Sequence, residues 1–154
     1  MVALPFFFML FAILEIGIVF TLDSVLENAT IETGRLVRTG QASAENMTKE
    51  QFKTSLCGRM SIFSGDCETR TTVDVRVLPQ FSSVPPDPMA GGTFDEDALT
   101  YSNGQPGSIM VVRVFYKHPL FTNFLAQGLS RLNDGSAVLT ATTAFRNEPG
   151  VWTP

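Results

Sequence analysis

The apolar run from Val2 to Leu22 constrains the fold more than any other part of the sequence. Glu15 is the only ionisable residue among its 21 residues. At a rise of about 1.5 Å per residue the run would form a helix of roughly 31 Å, which matches a hydrocarbon core of about 30 Å. The sequence therefore predicts a membrane-spanning helix over residues 1–22, followed by a head over residues 23–154.

A cleaved signal peptide is the alternative interpretation of this run. Such a segment carries a basic region before the apolar stretch and a small-x-small cleavage site after it. No Lys or Arg precedes the run, and the residues that follow, 20–26, continue a helical pattern of apolar positions. We therefore expect an uncleaved anchor.

Charge and motif content argue against nucleic-acid binding and catalysis. The formal net charge is −4, whereas nucleic-acid binding depends on neutralising phosphates with basic residues. The single histidine, His118, has no second His, CxxC or carboxylate cluster at ligand spacing, and no G-x-S-x-G motif is present. We expect no catalytic residue, no metal and no cofactor, and we interpret the acidic run 95–97 as a solvated loop tip rather than a calcium site.

Two cysteines, Cys57 and Cys67, are separated by ten positions. This spacing suits one short disulfide loop in an oxidising compartment, although two unrelated buried thiols would have the same spacing. The first basic residues after the apolar run, Arg35 and Arg38, come only after an acidic stretch, which favours a head outside the cytoplasm. A disulfide would agree with that orientation.

The remaining patterns predict an α+β fold. Apolar positions at helical spacing continue to residue 39, so the membrane helix is expected to extend into the head and to end at Gly40. A capping box at Thr48–Gln51 begins a second helix. Strands are predicted over 72–78, 109–116 and 137–145, from alternation and from β-branched and aromatic content. The expected head is a small, roughly three-stranded antiparallel sheet beside the two helices.

Predictions also follow for two segments that connect the strands. Residues 79–107 are rich in Pro and Gly and contain an acidic run, which predicts a long loop. Residues 120–129 are apolar and predict either a short helix or a docking loop. Within the first strand, the alternation of valines with Asp74 and Arg76 predicts one buried face and one polar face.

Glu15 lies two-thirds of the way along the apolar run, where an acidic side chain costs about 2.5–3.5 kcal/mol on insertion scales. One interpretation places it near the outer interface, protonated or reaching towards headgroups. The other assigns it a polar partner on another membrane helix. We favour the second, since ionisable residues inside membranes usually find polar partners.

Several short motifs occur in an order that resembles a known family. They are Val2-Ala-Leu-Pro to Glu15-Ile-Gly17, then Val25-Leu-Glu-Asn-Ala29 and Arg35-Leu-Val-Arg-Thr-Gly40. Together they resemble the TadE-like family of tight-adherence (Flp) pilus pseudopilins, whose membrane helix carries a Glu followed by an aliphatic or aromatic residue and Gly. The segment from Phe52 to Cys67 also resembles that family's cysteine pair, and a Val-Asp-Val strand follows it.

The resemblance implies a minor pilin-like, membrane-anchored subunit with a pilin-like head. Its expected location is the bacterial inner membrane, with the head in the periplasm, and its expected partners are other pilin-like subunits and pilus assembly platform proteins. Family members are cut by a prepilin peptidase at a Gly that has no counterpart here, so no residue is assigned as a processing site. The alternative is a membrane-tethered binding module that uses the loop 79–107.

Overall fold

The computed structural model describes residues 3–89, 91–122, 127–129 and 132–150. The predicted α+β class is confirmed: a long N-terminal helix and shorter helices accompany a three-stranded antiparallel sheet. The helices are α1 (Ala3–Arg38), α2 (Gln41–Ala44), α3 (Lys49–Cys57) and α4 (Ser64–Arg70), with a 3₁₀ turn at Ser61–Phe63. The strands are β1 (Thr71–Leu78), β2 (Ile109–Pro119) and β3 (Ser136–Arg146).

α1 is one continuous helix of 36 residues with two different halves. Before Glu15, large apolar side chains are exposed around its whole circumference. From Leu22 onward a single stripe is buried against the head, at intervals of three and four residues: Leu22, Leu26, Ala29, Thr33 and Val37. That spacing places one side of an α-helix on the core, so the helix extends into the head as predicted. The domain boundary at residue 22 stays a prediction.

The sheet has the strand order β1-β2-β3, and its inner face packs on α1 and α3. This face is formed mainly by Val73, Val75, Met110, Val112 and Val114, all completely buried. Gly34 lets α1 approach β3 closely, because a Cβ atom there would lie 3.3 Å from the side chains of Thr143 and Phe145. A side chain at this position would require the side chains of Thr143 and Phe145 to shift.

α3 begins where the capping box predicted. The Thr48 hydroxyl accepts from the backbone N–H of Gln51 at 3.3 Å, and the Gln51 side chain accepts from the backbone N–H of Thr48 at 2.9 Å. Cys57 ends this helix and forms a disulfide with Cys67, their Cα atoms being 5.5 Å apart. Cys67 lies in α4, a helix that sequence analysis missed because Ser64–Arg70 has no apolar periodicity.

The middle of the long loop 79–107 lies on the opposite, outer face of the sheet, whereas Tyr101 near its end packs with Phe52 in the main core. Its apolar side chains Met89, Phe94 and Leu99 pack against Phe115 and Val138 in a second, smaller core. The same loop also extends the edge of β1. Val75 donates its N–H to the carbonyl of Thr100 at 2.8 Å and accepts from the N–H of Ser102 at 2.9 Å. This loop is thus an ordered part of the head.

The polar face of β1 was expected to be exposed, but this is wrong for Asp74, whose side chain is 0% exposed. Its carboxylate accepts from both guanidinium groups beside it, at 2.6 Å from Arg76 Nη2 and 2.6 Å from Arg113 Nη2. The backbone N–H of Thr100 donates to it at 2.9 Å. The two arginines then reach the loop, since Arg76 donates to the carbonyl of Ala98 and Arg113 to that of Pro86.

This network sets the charge state of Asp74. Burial alone would raise the pKa of its carboxyl group, but the hydrogen bonds from Arg76, Thr100 and Arg113 outweigh burial and hold the pKa below its usual range. The folded head therefore contains a buried carboxylate shared by two cations. Breaking such a group by removing one partner is costly, because it leaves charges without compensation.

We predict that Asp74→Asn destabilises the head by about 3–5 kcal/mol, the range for removing one member of a buried ion pair. The matched control is Asp66→Asn, whose partner Arg70 forms an exposed pair, worth at most about 1 kcal/mol. Urea unfolding of the full chain in detergent, followed by circular dichroism, measures both free energies of unfolding. Equal effects of the two substitutions would contradict the role assigned to Asp74.

The same substitution should change the pH dependence. Because folding lowers the pKa of Asp74, its contribution is complete above the unfolded pKa of about 3.9 and is lost as the pH falls through the lower folded value. We therefore expect the wild-type head to lose stability below about pH 4. That loss should be smaller in Asp74→Asn than in Asp66→Asn when midpoints are compared at pH 7 and at acidic pH.

Candidate functional site

Glu15 is the predicted site residue with the most unusual surroundings. Although it lies in the apolar half of α1, its side chain is only 7% exposed. Its carboxylate accepts from the backbone N–H of Phe121 at 2.5 Å and from that of Thr122 at 3.0 Å. The hydroxyl of Thr122 donates to it as well. We call this arrangement of Glu15, Phe121 and Thr122 the Glu15 clasp.

The strand β2 positions Phe121 and Thr122 beside the helix. β1 pairs with β2 only as far as Tyr116, whereas β2 and β3 remain paired as far as Pro119 and Ser136. β2 thus extends past the end of β1 towards the N-terminal half of α1. The three residues that follow β2 bring two successive backbone N–H groups to the Glu15 carboxylate. Each N–H group bonds to one of its two oxygens.

The clasp lies in an apolar groove. Four side chains of α1, Phe8, Phe11, Leu14 and Ile18, line it together with Glu15, and the head contributes His118, Phe121 and Thr122. The cavity volume is about 670 Å³. In such apolar surroundings an unpaired carboxylate would be costly, and hydrogen bonds to a charged group contribute about 1.5–3 kcal/mol. The clasp supplies three such bonds.

His118 is the titratable group nearest the clasp on the head. Burial lowers its pKa, and the positive charge of Arg70 lowers it further, whereas the charge of Glu15 acts in the opposite direction. The net result is a pKa below the usual range, so the imidazole is neutral at pH 7. His118 therefore contributes a neutral polar ring to the groove wall.

The structure gives Glu15 partners within its own chain. The hypothesis of a partner on another membrane helix concerns a contact between chains, and it stays a prediction. Phe121 and Thr122 were not predicted as partners, because they follow Glu15 by 106 and 107 positions. The one available signal was the apolar segment 120–129 and its possible role as a docking loop. Residues 123–126 of that segment lie outside the described residues.

The cysteine pair lies in the head, separate from the clasp. The disulfide connects the end of α3 to α4, and both side chains belong to the main core. No group of three or more His, Cys, Asp or Glu side chains suited to a metal occurs among the residues that the structure describes. The absence of metals and cofactors stays an expectation.

We predict that Glu15→Ala exposes the amides of Phe121 and Thr122 to hydrogen exchange. One hydrogen bond to a charged group contributes about 1.5–3 kcal/mol, so exchange at these two amides should rise by about tenfold or more. Glu27→Ala is the matched control, since Glu27 is exposed on the same helix. Exchange resolved by residue in detergent micelles measures the effect, and unchanged protection in Glu15→Ala would contradict the clasp.

α1 also meets the length and composition required of a membrane span. It is the single such helix in the described part of the chain, and the mean hydropathy of its apolar window is 2.4. Only 6% of that window is buried within the protein. A span near the N-terminus with little internal burial is consistent with a single-pass membrane anchor.

Comparison with known proteins finds a match to the family model of TadE-like proteins over residues 1–35. No curated protein and no solved structure matches the chain significantly. The matched residues cover nearly all of α1, including Glu15, and they suggest a protein associated with the tight-adherence pilus. Over residues 1–35 the chain is therefore similar to TadE-like proteins, the family that its motifs resemble.

Proposed function

We propose that this chain is a minor pilin-like, membrane-anchored subunit that acts in the assembly or anchoring of a tight-adherence (Flp) pilus. The observation that carries this proposal is the TadE-like match over residues 1–35. That match ends only three residues before α1 does, so the family similarity and the anchor helix are nearly the same segment.

The two halves of α1 support a role in assembly. The N-terminal half is apolar on every side, so it can pack beside lipid or beside other membrane helices without exposing a polar face. The C-terminal half is part of the head core, and Leu22 and Leu26 there are completely buried. Because the helix is continuous, a contact made by its N-terminal half positions the head directly.

The proposed location is the bacterial inner membrane, crossed once, with the head in the periplasm. The disulfide between Cys57 and Cys67 supports the oxidising side. In this proposal the partners are other pilin-like subunits and pilus assembly platform proteins, whereas nucleic acid is not a partner. No catalytic step is part of the role, and the chain is not an enzyme.

The second candidate is a membrane-tethered binding module, and one feature of the loop 79–107 favours it. Phe81 is 60% exposed and Val84 is 91% exposed, beside three prolines that stiffen the chain. The rest of the loop is less available to a ligand, because Asp74, Arg76 and Arg113 hold it on the sheet. A binding role would therefore concentrate at residues 81–84.

We predict that deleting the gene removes surface pili and that the wild-type protein restores them. Glu15→Ala should reach the membrane in normal amounts and yet fail to restore piliation, whereas Glu27→Ala should restore it. Electron microscopy and immunoblotting of pilin in the sheared fraction measure the outcome, with the membrane level of the protein as a control. Normal piliation in the deletion strain would exclude the proposed role.

A loop variant separates the two candidates. Phe81→Ser combined with Val84→Ser removes the exposed apolar side chains and leaves the Asp74 network intact. A subunit in pilus assembly through its helix should tolerate this change. Normal pili combined with lost adherence of the cells in the double variant would instead favour the binding module.

The disulfide provides a separate prediction about location. In intact cells, both thiols should resist a membrane-permeant maleimide, and the full chain should gain two labels only after denaturation and reduction. Intact-mass analysis measures the number of labels. A protein that takes up two labels without reduction would contradict both the disulfide and the periplasmic head.

Loss of the bond through Cys57→Ala with Cys67→Ala should reduce the free energy of unfolding by about 2–3 kcal/mol.

A further inference from the structure

The Glu15 clasp places part of the head at a depth that the apolar run assigns to the membrane. Glu15 precedes Leu22 by seven residues, which is about 10 Å along an α-helix. Phe121 and Thr122 lie beside Glu15, because their backbone N–H groups bond to its carboxylate. These two residues therefore reach about 10 Å beyond the level at which the buried stripe of α1 begins.

N-terminal to Glu15 the helix is apolar on all sides. Exposed large side chains occur at consecutive positions from Phe6 to Phe11, and again at Ile13, Leu14 and Ile18. A helix that is apolar around its whole circumference is typical of contact with lipid, whereas one protein partner would require only one apolar stripe. The bilayer is thus the occupant that this surface fits.

Phe121 belongs to the same surface. Its backbone is held by Glu15, but its side chain is 83% exposed and points away from the head core. A phenylalanine ring is wholly apolar, so an exposed one fixed next to a membrane helix is better accommodated by acyl chains than by water. With the hydrocarbon boundary at Leu22, Phe121 lies within the acyl chains, and with the boundary at Glu15 it lies at their edge. Both positions bring the ring into contact with lipid.

The clasp also reduces the cost of placing a loop at this depth. Irregular backbone is excluded from hydrocarbon because its N–H groups have no water to bond. Here the N–H groups of Phe121 and Thr122 and the hydroxyl of Thr122 all donate to Glu15. The same bonds satisfy the carboxylate, whose presence in the apolar run is otherwise costly.

We propose that the segment from Pro119 to Thr122 inserts into the outer leaflet, that Phe121 contacts the acyl chains, and that Glu15 holds it there. The head is then attached to the bilayer at two places, α1 and this segment, so it cannot swing freely about the helix. This inference rests on the membrane anchoring of α1, which is part of the proposed function.

Tryptophan fluorescence in lipid vesicles tests the proposal. Trp152 is the single tryptophan, so Trp152→Phe provides the background. Into it we introduce Phe121→Trp, with Phe8→Trp as the positive control in α1 and Phe81→Trp as the control on an exposed part of the head. The full chain is reconstituted in phosphatidylcholine and phosphatidylglycerol vesicles, with and without bromine on the upper acyl chain.

We expect Phe121→Trp to be quenched by brominated lipid to a degree comparable to Phe8→Trp, with blue-shifted emission, while Phe81→Trp is unaffected. Adding Glu15→Gln and Thr122→Val to the Phe121→Trp protein should reduce its quenching and leave that of Phe8→Trp unchanged. The exposed position of Phe121 means that the tryptophan does not disturb the core.

Two results would overturn the inference, and they differ in what else they affect. Quenching of Phe8→Trp without quenching of Phe121→Trp would leave the anchor and the proposed pilus role intact and refute the insertion of the segment. Absence of quenching at both positions would refute the insertion and also the membrane anchoring on which the proposed function depends.

Discussion

The structure depends on α1, which must suit two environments along one uninterrupted helix. Its N-terminal half is apolar all round, as contact with lipid requires, and its C-terminal half buries a single stripe in the head. The change occurs without a break in hydrogen bonding, so the orientation of the head is coupled to that of the anchor. Gly34 is part of this coupling, since it brings the helix against Thr143 and Phe145.

Two buried carboxylates, Asp74 and Glu15, each fix an irregular segment of the chain to regular secondary structure. Asp74 ties the long loop to the outer face of the sheet through Arg76 and Arg113. Glu15 ties the end of β2 to the apolar half of α1 through backbone N–H groups. In each case a charge that is costly to bury is compensated by several donors, and removing it would leave those donors without partners. Segments without regular secondary structure are thereby fixed in place.

Sequence periodicity predicted the helices and strands that have clear patterns. The capping box at Thr48 marked the start of α3, and alternating valines marked β1. It failed where local pattern is weak, as in α4, whose residues have no apolar period. It placed Asp74 on the polar face of β1 but did not predict that this face is buried, because alternation cannot show that the loop 79–107 covers it.

The candidate site was likewise predictable in part from the sequence and in part only from the tertiary structure. Sequence alone determined that Glu15 is an ionisable residue within an apolar, TadE-like helix and that its charge needs a partner, since insertion costs depend only on composition and position. Tertiary structure alone decided which groups of this chain bond to it, because Phe121 and Thr122 are more than a hundred residues away and reach Glu15 only through the extension of β2 past β1. Long-range pairing of this kind is set by sheet register and helix packing, which no local pattern encodes.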